Sequence, residues 1–175
     1  MLVLGIDPGF DRLGWAVGQT LAGGRVNLLS FGLITTDKKQ TIYQRLHQID
    51  EEISQLVSEF HCQQAALESL FYFRNDTTVI NVAQARGVML AALLRCGVEI
   101  FEYSPPQIKL AVTGFGRADK AAVAKMVRTQ LHLDDYLSRT GTKVIDDTYD
   151  AMAVLLTHAG AAGLQAKING SQWGK

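Results

Sequence analysis

The sequence predicts one α/β domain built on a five-stranded mixed sheet with helices on both faces. Three observations support this prediction: three apolar strand patterns open the chain, strand and helix patterns then alternate, and helix patterns dominate the remainder. With 175 residues, the chain is long enough to bury a core of its own without disulfides or structural metals.

The first strand is predicted over Leu2–Asp7, an apolar run that ends in an aspartate and the turn-forming pair Pro8-Gly9. Two more strands are predicted at Leu13–Val17 and Val26–Ile34. The glycine pair Gly23-Gly24 between them favours a hairpin turn. The chain therefore begins with three antiparallel strands.

An amphipathic helix is predicted over Thr41–Phe60, where apolar residues recur at intervals of three and four. A short apolar strand follows from Gln64 to Leu70, interrupted by Glu68. A second helix is predicted over Thr77–Arg95, ended by Gly97. This alternation adds further strands to the sheet and places helices against it.

The remaining elements are a fifth strand and three helices, predicted in order at Val98–Tyr103, Pro105–Gly114, Ala118–Leu131 and Asp147–Ala162. Beyond them the chain is polar and lacks periodicity. We therefore expect a domain over residues 1–163 and a flexible tail over residues 164–175.

The formal net charge is zero, with 17 basic and 17 acidic residues, so total charge indicates no polyanion partner. Locally, however, Pro105–Leu131 is basic and Asp134–Asp150 is acidic. Such asymmetry suits a phosphate-binding surface beside a cation site, but solvated helix faces explain it equally well.

The sequence shows no charged segment followed by an apolar leader and no apolar run long enough to span a bilayer. We therefore expect a cytoplasmic protein without a membrane partner. Cys62 and Cys96 have no metal-ligand spacing, and no serine or cysteine has the setting of a nucleophile. Covalent catalysis is thus disfavoured.

Four acids form the candidate site. Asp7 and Glu68 each stand at the end of an apolar strand, where an unpaired charge is costly unless a cation binds it. Asp147 and Asp150 are three residues apart on one face of the last helix, although helix capping alone also explains an acidic first turn.

Gathered together, these four carboxylates would repel one another unless divalent cations lay among them. Oxygen ligands suit Mg²⁺ or Mn²⁺ better than Zn²⁺. The set therefore predicts two Mg²⁺ ions per active site, with Mn²⁺ able to substitute, and phosphoryl chemistry by in-line displacement.

Five segments appear along the chain in this order: Gly5-Ile6-Asp7-Pro8-Gly9, Glu68-Ser69-Leu70-Phe71, Gln84-Ala85-Arg86-Gly87, Gly114-Phe115-Gly116-Arg117-Ala118-Asp119-Lys120 and Asp147-Thr148-Tyr149-Asp150-Ala151. Together they resemble the bacterial RuvC-type Holliday junction resolvases. The resemblance implies a ribonuclease-H-like fold, a homodimer and Mg²⁺-dependent paired nicking of four-way junction DNA, which leaves 5′-phosphate and 3′-hydroxyl ends. It also implies an ATP-driven branch-migration complex as partner, and a bacterial, nucleoid-associated location.

The same resemblance assigns catalytic roles to the four acids, base stacking to Phe71, and phosphate contacts to Lys109 and Lys120. Lys120 also stands in the first turn of a helix behind a glycine-bounded loop, where an ammonium and backbone N–H groups can face a phosphate together. Further candidate DNA contacts are Arg74, Arg86 and Arg117. Arg86 lies in a mostly apolar helix, so a paired interface residue is an equal alternative.

Three other functions are compatible with parts of this pattern. A ribonuclease-H-like RNA-processing nuclease would share the acids, and a non-catalytic protein would bind junctions without cutting them. An actin-like ATP-binding module would use Gly5–Gly9 as a phosphate loop, but it needs a second lobe for which 175 residues leave no room.

Overall fold

The computed structural model describes residues 1–69 and 77–171, with side chains for all of these except residues 77, 78 and 164–171. Within these ranges the strands are β1 (Leu2–Asp7), β2 (Arg12–Thr20), β3 (Val26–Thr35), β4 (Gln64–Glu68) and β5 (Glu99–Tyr103). The helices are α1 (Ile42–Phe60), α2 (Thr77–Arg95), α3 (Pro105–Thr113), α4 (Lys120–Gln130), α5 (Leu133–Thr140) and α6 (Asp146–Ser171).

The strands form one mixed sheet in the order β3-β2-β1-β4-β5. The pairs β1–β2 and β2–β3 are antiparallel, whereas β1–β4 and β4–β5 are parallel. A parallel pair needs a crossover connection, and α2 lies in the one between β4 and β5. The predicted five-stranded mixed sheet with helices on both faces is therefore confirmed.

The alternation of side chains along β1 and β4 decides which face the strand-ending acids occupy. Ile6 packs in the core formed with α1 and α2, whereas Val3 packs on the opposite face with α3, α4 and α6. Asp7 lies four residues after Val3 on the same strand, so its side chain is on the same face of the sheet. On β4, Ala66 packs on the α6 face, and Glu68 follows two residues later. Both acids therefore face α6.

Two glycines let α6 approach the sheet closely. A Cβ added at Gly5 would stand 2.5 Å from the main-chain oxygen of Ala151, and one at Gly14 would collide with that of Asp147. Gly14 is also the antiparallel partner of Asp7. The start of α6 is thus held directly beside the carboxyl end of β1.

The structure adds one helix to the predicted elements and moves several of their ends. Helix α5 was not predicted: it has only 8 residues and follows His132, whose φ of 48° is uncommon for a residue other than glycine. Strand β4 ends at Glu68, before the predicted end at Leu70. Helix α6 continues past Ala162 to Ser171 and so includes residues 164–171, which the sequence assigned to the tail.

No helix in the described ranges combines the length and apolarity needed to cross a bilayer.

Candidate active site

Asp7 and Glu68 lie side by side at the carboxyl ends of two parallel strands. Ile6 and Leu67 are register partners, so the next residue on each strand is one of the two acids. Open α/β sheets place their functional sites at this edge. The structure thus brings the two strand-ending acids together, as their positions in the sequence predicted.

A cavity of about 360 Å³, which we call the acidic cavity, opens at this edge of the sheet. Asp7, Glu68 and Asp150 line it from β1, β4 and α6, and Lys109 and Lys120 line it from α3 and α4. Three acids and two bases from five separate elements therefore face one open space.

Burial and nearby negative charge make the carboxyls of Asp7 and Glu68 reluctant to ionise. Burial is the main cause that raises the pKa of Asp7 to about 7, and the next is the negative charge of Asp150. The pKa of Glu68 is also raised, first by burial and then by Asp150. A nearby cation favours the charged form of a carboxyl, so this cluster is poised to ionise when a cation binds.

Lys120 already supplies one positive charge to the cluster. Its Nζ lies 3.3 Å from Oδ2 of Asp150, whose charge raises the pKa of the lysine. The Lys120 side chain is 90% exposed, so it can reach a ligand from solvent while it stays beside the acids.

Asp147 is oriented differently from the other three acids. Nε of Arg12 lies 2.6 Å from its Oδ2, but the N–H is not aligned for a hydrogen bond, and this buried oxygen has no hydrogen-bond partner. Both residues line a second cavity of about 380 Å³ with Phe10 and Asn81. Asp147 still adds to the repulsion that raises the pKa of Asp7. Sequence reasoning missed Arg12, because no spacing pattern links it to a residue so distant in the chain.

The donor chemistry of the first cavity suits a hard divalent cation. Its acidic ligands are all oxygen, and neither histidine nor cysteine lines it. In residues 1–69 and 77–171, no three acidic, histidine or cysteine side chains are placed so that together they could hold a metal ion. Asp150 and Asp147 are instead turned towards Lys120 and Arg12. Asp150 nevertheless lines the first cavity, and Oδ2 of Asp147 accepts no hydrogen bond although it is ion-paired with Arg12, so both carboxylates could serve as cation ligands.

Arg117, another residue predicted to contact DNA, does not line the acidic cavity. Arg117 is exposed and lines a separate cavity with Phe115 and Lys125, on the surface where α4 begins. Phe71 and Arg74 lie outside the described residues.

Arg86 does not have the exposed position that its predicted DNA contact requires. The residue is 8% exposed, its Nη1 donates to the main-chain oxygen of Glu68 at 2.9 Å, and its Nη2 lies 2.6 Å from Oε1 of Glu102. This burial and pairing within the chain disfavour the predicted DNA contact, and the alternative of a paired interface residue stays a prediction. Glu102 was not a predicted site residue, because it looks like an ordinary outward-facing residue of a strand.

The sheet topology, with acids at two central strand ends and at the start of the last helix, defines a metal-dependent nuclease of the ribonuclease-H-like fold. A sequence profile of crossover junction endodeoxyribonuclease RuvC matches residues 3–158. This chain belongs to that family.

Relatives and solved structures agree with this assignment. The crossover junction endodeoxyribonuclease RuvC of Petrotoga mobilis is 39% identical over 158 residues, which cover 90% of this chain and 93% of the relative. That of Thermosipho melanesiensis is 40% identical over 154 residues, covering 88% and 94%. The structure of Thermus thermophilus RuvC in complex with Holliday junction substrate is 31% identical, with a TM-score of 0.83 over 94% of this chain and 96% of the other.

Proposed function

We propose that this chain resolves four-way DNA junctions by hydrolysing one phosphodiester bond in each of two opposed strands, leaving 5′-phosphate and 3′-hydroxyl ends. The observation that carries the proposal is the convergence of Asp7, Glu68 and Asp150 with Lys109 and Lys120 in one open cavity. Acids that bind cations, set beside bases that bind phosphates, are the components that metal-dependent phosphodiester hydrolysis requires. Membership of the family makes the substrate junction DNA.

The proposed cofactor is Mg²⁺, two ions per active site, with Mn²⁺ able to substitute. Asp7, Glu68 and Asp150 would hold these ions, and Asp147 would join them when its carboxylate leaves Arg12. Bound divalent cations supply activation of the attacking water and stabilisation of the departing 3′ oxygen.

The protein side chains prepare the site for both cation and phosphate. Asp7 has a pKa of about 7 without a cation, so it holds a proton part of the time at neutral pH and must release it on binding. Lys120 and Lys109 are proposed to contact the scissile phosphate and its neighbour. Lys120 is also tied to Asp150, which keeps its ammonium beside the acids. The same ion pair holds Asp150 ready beside Asp7 and Glu68.

A homodimer is proposed as the active form, since two opposed strands must be cut. Ile80 and Leu94 of α2 are 65% and 66% exposed, which leaves apolar surface on this helix for a second copy. Met89 and Leu93 of the same helix are fully buried in the core. The test is the mass of the protein in solution, compared with that of an Ile80→Lys, Leu94→Lys variant.

From family membership alone we further propose a junction-binding, branch-migrating ATPase complex as partner and a cytoplasmic, nucleoid-associated location. DNA contacts by Phe71, Arg74 and Arg117 also remain proposals. Co-purification of such an ATPase with the tagged chain on junction DNA would test the partnership.

The decisive experiment compares Asp7→Asn with Asp146→Asn on a synthetic four-way junction, a linear duplex and a structured RNA. Asp146 is exposed and lines neither cavity, so it is a matched control from the same acidic region. Asp7→Asn should bind the junction but lose Mg²⁺-dependent nicking, whereas Asp146→Asn should keep both. Failure of the unmutated dimer to nick junctions with any divalent metal would leave a non-catalytic binder. Preferential cleavage of the RNA would indicate an RNA-processing nuclease.

A further inference from the structure

The main-chain carbonyl of Glu68 cannot be satisfied by the sheet. The N–H of Ser69 donates to Tyr103 of β5 at 2.8 Å, so the main-chain groups of the preceding residue, Glu68, face β1. In the register of β1 and β4, the donor for this carbonyl would be the residue after Asp7. That residue is Pro8, which has no N–H.

Arg86 supplies the missing donor. Its Nη1 donates to the Glu68 oxygen at 2.9 Å, so the guanidinium completes the hydrogen bonding at the end of β4. Its Nη2 lies 2.6 Å from Oε1 of Glu102, on the neighbouring strand β5. The fork of one guanidinium therefore joins α2, β4 and β5 at the residue whose side chain enters the acidic cavity.

We propose that Arg86 is a positioning residue, which fixes the end of β4 and so sets the place of the Glu68 carboxylate in the cation site, while Glu102 orients Arg86. This inference rests on the proposed function, because Glu68 is taken as a cation ligand. Residues that orient ligands from behind are often nearly as important for metal affinity as the ligands themselves.

The test uses Arg86→Gln and Arg86→Lys, with Arg95→Gln as a matched control. Arg95 is also on α2 and also ion-paired, with its Nη2 2.7 Å from Oδ1 of Asp50, but far from the acidic cavity. Three quantities are measured on the full chain: Mn²⁺ affinity by calorimetry without DNA, single-turnover junction cleavage over a range of Mg²⁺ concentrations, and junction affinity without divalent metal.

Arg86→Gln should weaken Mn²⁺ binding and slow cleavage by about 10- to 100-fold at low Mg²⁺, with partial recovery at high Mg²⁺. Junction affinity should be unchanged, because the side chain is not exposed to DNA. The Mn²⁺ affinity and cleavage rate of Arg86→Lys should fall between those of Arg86→Gln and the unmutated chain, since one ammonium cannot reproduce the geometry of the guanidinium fork. Arg95→Gln should match the unmutated chain in all three measurements.

Unchanged Mn²⁺ affinity and cleavage in Arg86→Gln would overturn the proposal. So would a loss of junction affinity that accounts for the slower cleavage, since Arg86 would then contact DNA. If Arg86→Gln does not fold, Glu102→Gln replaces it, and unchanged Mn²⁺ affinity in that folded variant overturns the proposal. Altered Mn²⁺ affinity in a chain that never cleaves junctions would refute the proposed function but support the role of Arg86. No Mn²⁺ binding by the unmutated chain would refute both.

Discussion

Lys120 and Asp150 form an ion pair at the mouth of the acidic cavity, with Nζ 3.3 Å from Oδ2. The pair places the ammonium of Lys120 among the acids and keeps it next to the place where a phosphate would bind. Exposed ion pairs of this kind contribute at most about 1 kcal/mol to stability. We therefore expect Lys120 to matter for chemistry more than for folding.

Lys120→Ala should lower the rate of junction cleavage at saturating protein while the melting temperature changes little. Lys125→Ala is the control, because Lys125 lies on the same helix but lines the separate cavity with Arg117. Each variant should weaken DNA binding about equally, through the loss of about one phosphate contact. Equal cleavage rates in the two variants at saturation would contradict a special role for Lys120.

The metal-free protein should become less stable as pH rises from about 4 to about 7. The pKa of Asp7 is about 7 in the folded protein but 3.8 in the absence of these surroundings, so the unfolded chain loses this proton first. The stabilisation by the protonated carboxyl is complete below the unfolded-state pKa of 3.8 and is lost as pH rises through the folded-state pKa of about 7. Melting temperatures across this range check the trend.

The control for this pH dependence is Asp7→Asn, which cannot ionise and should flatten the curve. Mg²⁺ or Mn²⁺ should restore the melting temperature of the unmutated protein at the upper pH and have less effect on the variant. An equally steep pH curve in Asp7→Asn would show that another group is responsible.

Gly14→Ala should impair cleavage, because the added methyl group would collide with the main-chain oxygen of Asp147 and displace the start of α6. Overpacking of this kind costs about 1–3 kcal/mol. Gly160→Ala is the control, on α6 itself, where an added Cβ meets nothing within 4 Å. It should keep cleavage and gain up to about 1 kcal/mol from higher helix propensity. Thermal unfolding and single-turnover cleavage separate the two effects.

Tyr103→Phe should destabilise the fold by about 1–2 kcal/mol. The Tyr103 hydroxyl lies 2.8 Å from Nδ1 of His158, and Nε2 of that histidine lies 2.8 Å from Oε1 of Gln64. Removal of the hydroxyl leaves one nitrogen of a buried ring without a partner. Tyr43→Phe is the control, since Tyr43 is 80% exposed. Equal unfolding midpoints in denaturant would show that the hydroxyl contributes nothing.

The acids could be predicted from the sequence because their positions are locally anomalous. A carboxylate at the end of an apolar strand, as at Asp7 and Glu68, is conspicuous without any tertiary information. The partners of these acids could not be predicted in the same way. Arg12 lies beside Asp147, and Arg86 beside Glu102, only because strands and helices distant in the chain pack together. An arginine in a helix has the same local pattern whether it binds DNA or a carbonyl.

The backbone contact of α6 with β1 and β2 through Gly5 and Gly14 also bears on how the protein could vary. With no side chains acting as spacers at these two glycines, the main chain of α6 lies directly against the main chain of the sheet. Such a contact leaves little room for the start of α6 to shift, so we expect substitutions in distant surface loops to leave the main-chain positions of the acids unchanged. The surfaces that contact DNA can therefore vary in sequence while the main-chain positions of the acids stay the same.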